Sequence, residues 1–327
     1  MYFTVLDLLR FVSSIAVFFH HTFLFHYGRL GIYLFFMISG FVIYFSLDKS
    51  LKDYIFGRFI RLYPIFWVCA SITFLITLLY NTNISFKYFL LGLLMFNNGH
   101  MEIMIDGSYW TLTFELLFYA YIAIFVFFFS KKRLEWFYTS WLVLSLASFY
   151  FKLDQLFIIK LLSVRFAPYF VFGGMLALAI DRWKTSTLWS KTLYVGVLVT
   201  SFLSPIYISS KLQDQKETIT NFTGSFDKGE LVIVEALFAV MFLGVFLSML
   251  DFAKYKRFAR IAFILGGITY PLYLLHWKIG NTIISHAGYK YGEINAYSVL
   301  VAVGIFVLAT VISLYDKKFR DYLKKKL

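Results

Sequence analysis

Ten stretches of this chain are apolar for long enough to cross a lipid bilayer, and no other feature constrains the fold as strongly. A helix needs about 20 such residues to span the hydrocarbon. The stretches are 4–25, 30–47, 62–80, 112–129, 136–151, 166–180, 191–209, 231–250, 261–285 and 295–315. Of the 327 residues 60% are hydrophobic and only 15% charged, against about 25% charged in a soluble domain. Forty-one Phe and 24 Tyr exceed what a water-soluble core of this size can hold. A cytosolic enzyme and a disordered regulator are both excluded. The expected fold is all-α, a polytopic integral membrane helix bundle of about ten transmembrane helices with no appended soluble domain, residues 1–327 forming one membrane-embedded unit.

Phe86–Phe96, about eleven apolar residues, is more typical of a re-entrant or interfacial segment than of a crossing, and its length alone leaves both open. If it does not cross and both termini are cytoplasmic, the outer loops carry nine of the 31 Lys and Arg, and the inner loops with the C-terminal tail carry twenty. That is the positive-inside distribution. The net charge of +13 is then a topological signal, and nucleic acid is not an expected partner. The first span lacks a clear cleavage site and is expected to stay as a helix. The tail Asp316–Leu327, with six basic and two acidic residues, suits anionic lipid headgroups. Cys69 is the only cysteine, so one chain can form no disulfide, zinc site or redox pair.

Ionisable residues inside spans are costly and each asks for a reason. The first span carries Arg10, His20 and His21. Eleven helical residues return to within about 20° of the same face and rise about 16 Å, so Arg10 and His21 share a face at opposite depths. His20 points elsewhere and reads as packing or interfacial. Arg58 and Arg61 precede Pro64 and share a face if helical. Two guanidiniums at the inner edge can fork onto phosphate or carboxylate, or simply enforce topology. Glu115 is the only carboxylate of the fourth span, with Thr111 and Thr113 beside it. It can orient a histidine or take a proton, while Thr111 can cap the helix. Arg165 opens the sixth span, followed by Gly173-Gly174, which suit close helix packing. Pro271 can break the ninth span ahead of His276 and Lys278. His20, His21 and His26 do not converge well on one helix, and no metal is expected.

By depth, Arg10, Arg58 and Arg61 lie on the inner side, and His21, Glu115, Arg165 and His276 on the outer side. A cationic inner cluster and a titratable outer cluster suit chemistry across the bilayer, in which an anionic donor docks inside and a group passes to an acceptor outside. A transporter or proton-coupled exporter of a glycolipid or small anion would use similar residues, but the internal repeats such folds carry are not evident.

Five strings in order resemble the membrane acyltransferase family 3, integral-membrane O-acyltransferases of surface polysaccharides. They are Leu6-Asp7-Leu8-Leu9-Arg10 with His21, Gly31 to Ser39-Gly40-Phe41, Arg58-Phe-Ile-Arg61 with Pro64, Trp110-Thr-Leu-Thr-Phe-Glu115 with Phe118-Tyr119, and Tyr270-Pro-Leu-Tyr-Leu-Leu-His276. Leu8 stands where the family commonly has Gly, and Thr111 and Thr113 where it has Ser. The resemblance implies a cytoplasmic acetyl-CoA, or other short acyl-CoA, as donor. Arg58 and Arg61 would meet its phosphates, with Arg10 deeper on the entry path. His21 would be general base or transient acyl carrier, and Glu115 would orient it or share the proton. The acceptor would be a glycan or lipid-linked sugar of the cell envelope. Trp110, Arg165 and His276 are candidate substrate-binding residues, where Arg165 could instead snorkel and His276 could be structural. The expected location is a bacterial inner membrane. Direct transfer and an acyl-histidine relay, the acceptor's identity and the oligomeric state stay open.

Overall fold

The computed structural model describes residues 3–80, 85–95, 104–214, 226–249, 256–290 and 292–326. Among these residues every regular element is helical. The first helices are α1 (Thr4–Phe23), α2 (Gly31–Tyr44), α3 (Leu51–Leu79), α4 (Phe86–Gly92), α5 (Trp110–Phe129) and α6 (Leu134–Tyr150). There follow α7 (Phe157–Leu161), α8 (Ala167–Arg182), α9 (Leu188–Asp214), α10 (Lys228–Ser248), α11 (Lys256–Leu275), α12 (Lys278–His286) and α13 (Ala296–Lys326).

Eight of these, α1, α2, α3, α5, α9, α10, α11 and α13, have the length and apolarity to cross a membrane, α2 and α5 together with the turns before them. The expected spans 136–151 and 166–180 are the helices α6 and α8, of 17 and 16 residues. Their axes run about 24 to 26 Å, against about 30 Å of hydrocarbon. α4, with seven residues, is too short to cross, as its sequence suggested; Phe96 lies outside the described residues. α13 exposes Val299, Val303, Val307, Val311 and Leu314 along one stripe. A stripe of that kind belongs against acyl chains and not against water.

Three local expectations change. α3 begins at Leu51, well before the apolar run, and passes Pro64 without ending, so Arg58 and Arg61 are helical. α11 likewise runs through Pro271 to Leu275, and the ninth span breaks instead at His276-Trp277. Asp106, and not Thr111, caps the turn that leads into α5.

The chain forms two compact units. The first holds Met1–Ile32, Ile55–Thr113 and Leu247–Leu327. In it α1 packs along α11, and α11 and α12 pack on α13. α4 is tied to α3 by the Phe74–Phe89 stack at 4.2 Å and by Trp67 Nε1 donating to the Leu93 carbonyl at 3.1 Å. The second unit holds Tyr33–Tyr54 and Phe114–Phe246. Its core is α8, which is buried at every residue from Ala167 to Ala179 and packs on α6 and α9. α2 lies so close to α8 that a Cβ on Gly40 would overlap the Phe170 carbonyl, and one on Gly173 the Met37 carbonyl. Small residues permit that approach where lipid supplies no hydrophobic drive between helices.

Candidate functional site

In the first unit, α1 ends on Leu24 in the left-handed conformation, and its N–H returns to the Phe19 carbonyl. His20 Nδ1 donates to the Phe25 carbonyl at 2.9 Å, so this histidine closes the helix end. Its neighbour His21 shares a face with Ser14 and Val17, both buried. Arg10, on the same face about 16 Å away along the axis, has Asp7 one turn earlier at 3.4 Å.

The break between α11 and α12 is built by residues from two distant strings. Asp106 is fully buried. Its Oδ1 accepts from the Ser108 amide and hydroxyl, both at 2.8 Å, and its Oδ2 accepts from the Lys278 amide at 2.7 Å. That last bond caps the first turn of α12 from another part of the chain. Tyr273 donates to the Ser108 carbonyl at 2.7 Å, and Thr111 Oγ1 meets the Tyr273 hydroxyl at 2.7 Å. Tyr109 donates to the Leu274 carbonyl at 2.8 Å. Gly107 lies so close to Trp277 that a Cβ there would overlap the indole.

This lattice presents two rings to His21. Trp277 stacks on it with centroids 4.3 Å apart and planes at 20°. His276 lies 5.1 Å from it, tilted by 52°. His276 is 1% exposed. Its Nδ1 donates to the Tyr273 carbonyl at 2.6 Å; a carbonyl can only accept, so the neutral ring keeps its lone pair on Nε2. Among the described residues no donor meets that Nε2. His21 is half-buried. The arrangement offers a partly accessible imidazole on an aromatic platform, beside a second, enclosed base.

Arg58 and Arg61 are half-buried on α3, one turn apart. Tyr270 of α11 donates to the Leu62 carbonyl at 3.3 Å. Arg61 therefore stands beside the level of Tyr270, about 9 Å along α11 from His276. Trp110 opens α5 and is half-buried.

Glu115 and Arg165 belong to the second unit. Glu115 Oε1 accepts from Ser39 Oγ at 2.9 Å and from the Tyr119 hydroxyl. Arg165 sits just before α8, next to Phe166, whose ring meets Phe114 at 4.7 Å and Phe36 at 5.2 Å. The neighbours of Glu115 and Arg165 in sequence are thus packed together.

Histidines 21 and 276, read separately from the sequence, meet directly. Two residues were missed. Asp106 carries no signal in a hydropathy reading, though an acidic residue followed by Gly-Ser is a turn cap. Trp277, next to His276 in sequence, is one aromatic among many in an apolar run. Neither their partners nor their roles could be read from spacing, because the pairs are far apart in sequence.

A family model described as an acyltransferase domain matches residues 3–315. Comparison with curated proteins gives no match. Comparison with solved structures also gives none.

Proposed function

The chain belongs to acyltransferase family 3, and from that premise we propose that it is an integral-membrane O-acyltransferase that carries an acyl group across the bilayer. The donor is cytoplasmic acetyl-CoA or another short acyl-CoA. The acceptor is a hydroxyl of a surface or lipid-linked glycan on the outer side, in the inner membrane of a bacterium with both termini in the cytoplasm. The observation that carries this reading is His21, held on Trp277 and beside His276, at the opposite end of α1 from Arg10.

In this mechanism His21 removes the proton of the acceptor hydroxyl. The oxygen attacks the thioester carbonyl, the C–O bond forms and the C–S bond breaks. The proton leaves with the thiolate as the free thiol of coenzyme A. Arg58 and Arg61 fork onto the phosphates of the donor, with Arg10 along its path. Glu115 is a second proton-handling group, supported by the two hydroxyl donors gathered on its carboxylate inside a span. Trp110 and Arg165 serve the acceptor.

The test is transfer of labelled acetyl from acetyl-CoA to glycolipid in proteoliposomes, with mass analysis of surface glycans from cells with and without the protein. Transfer is expected with wild type and lost in a folded His21→Ala protein. Undiminished transfer by that variant removes His21 from the chemistry. Solute flux with no acyl donor, and no transfer, would replace the reading with a transporter.

A further inference from the structure

We propose that His276 is the positioning residue of the transfer: its Nε2 lone pair takes the ring N–H of His21 and fixes which nitrogen of His21 faces the acceptor hydroxyl. The inference rests on the acyl-transfer reading and assigns to an imidazole the orienting role that the sequence alone suggested for a carboxylate.

Three hydrogen-bonding groups in and around the His276 ring are committed elsewhere. Its Nδ1 donates to the Tyr273 carbonyl. The Tyr273 ring lies 5.4 Å away, but its hydroxyl proton goes to Ser108. His20, 4.8 Å from His21, gives its Nδ1 proton to Phe25. What is left is an enclosed Nε2 with no donor among the described residues, on a ring 5.1 Å from the ring of His21. A buried acceptor without a donor is unfavourable, so such atoms are rare unless function keeps them. The fold also prevents relaxation. The Asp106 bond to the Lys278 amide holds the corner, and the Tyr273 carbonyl holds the ring. Trp277 confines His21 to a plane nearly parallel to its own.

The consequence follows from proton accounting. With its N–H turned to His276, His21 presents a lone pair on the other nitrogen. That nitrogen takes the hydroxyl proton as the C–O bond forms and the C–S bond breaks. The imidazolium so formed keeps its second N–H on the His276 lone pair, which stabilises the charge without accepting a proton. The proton of the hydroxyl then leaves with the thiolate. A histidine in a triad is held in the same way by its orienting partner.

The experiment compares His276→Phe and His276→Gln, each alone and combined with His21→Ala. The protein is in proteoliposomes with labelled acetyl-CoA and a glycolipid extract of the source cells, and thermal unfolding serves as the folding control. Phe keeps a ring and removes the acceptor; Gln keeps an acceptor oxygen. For His276→Phe, kcat should fall about 100-fold or more with the KM for acetyl-CoA little changed. His276→Gln should recover at least about a tenfold part of that loss, and neither change should matter once His21 is alanine. A folded His276→Phe protein with wild-type kcat overturns the proposal. So does a loss that adds in full to that of His21→Ala. If His276→Phe does not fold, the same cycle with His276→Gln decides: coupling to His21 supports the proposal and additivity overturns it. Failure of wild type to transfer acetyl at all is a different result, and overturns the acyltransferase reading itself.

Discussion

The backbone N–H of Lys278 donates to the carboxylate of Asp106 at 2.7 Å, across 172 residues of sequence. This bond sets the α11–α12 corner, and through the corner it sets the two rings that face His21. Removing the carboxylate should therefore cost both stability and activity. In Asp106→Asn the amide can keep its oxygen toward Ser108 only by turning its NH2 toward the Lys278 N–H, donor against donor. Asp106→Asn and Asp106→Ala are each expected to destabilise the protein by about 2–4 kcal/mol, the scale of a buried charged acceptor lost from its donors. Thermal unfolding in detergent, followed by tryptophan fluorescence, reads this. A wild-type melting curve for Asp106→Asn would refute the role of the clamp.

The Trp277 platform makes a smaller, separable contribution. An aromatic stack is worth about 0.5–1.5 kcal/mol beyond area, so Trp277→Leu should lower kcat about 2- to 10-fold, and Trp277→Phe less. Gly107→Ala pushes a methyl group into the same indole and should reproduce part of the loss without touching Trp277. Steady-state rates of the three variants are the check; a neutral Gly107→Ala would show that the indole can move freely.

Glu115 has two hydroxyl donors, which separates its packing role from its chemical role. Glu115→Gln keeps an oxygen for Ser39 and Tyr119, so the fold should survive. If the carboxylate handles a proton, kcat should still fall about 100-fold. Full activity in Glu115→Gln, together with loss in Glu115→Ala, would make the residue structural.

Arg58 and Arg61 are expected to act on donor binding alone. A charge-assisted hydrogen bond to phosphate is worth about 1.5–3 kcal/mol, so each Gln variant should raise the KM for acetyl-CoA by about 10- to 100-fold. Lys should restore only part, since it lacks the planar fork. Titration of acetyl-CoA at fixed acceptor tests this. An unchanged KM with reduced kcat would move both residues out of the donor site.

The contact between α2 and α8 leaves no room for a side chain at Gly173, where a Cβ would overlap the Met37 carbonyl. Gly173→Ala should destabilise the second unit by about 1–3 kcal/mol, the usual cost of overpacking. The midpoint of thermal unfolding measures it, and a shift within error would mean that the helices separate at no cost.

The helical membrane character of the chain was legible from sequence because it follows from local quantities: the length of an apolar run and the rise per residue. The same arithmetic put Arg10 and His21 on one face of α1 and separated them in depth. It also marked Glu115, Arg165 and His276 as residues that hydrocarbon should exclude. The fold-level family resemblance rested on the same strings.

Which of those residues touch was decided only in three dimensions. His21 and His276 lie 255 positions apart, and nothing in the spacing of either helix indicates the other. Their meeting depends on where α11 ends. The sequence suggested Pro271, but the helix carries the proline and breaks at His276, because a buried Asp106 from a distant turn captures the first amide of the next helix. Glu115, expected to orient His21 or share the proton, accepts hydrogen bonds from Ser39 and Tyr119, which spacing did not single out as its partners. Apolarity and helical rise act between near neighbours, so a sequence carries them in plain view. Partner choice among buried polar groups is settled by which donors the packed backbone brings within about 3 Å of which acceptors, and that is a property of the assembled fold alone.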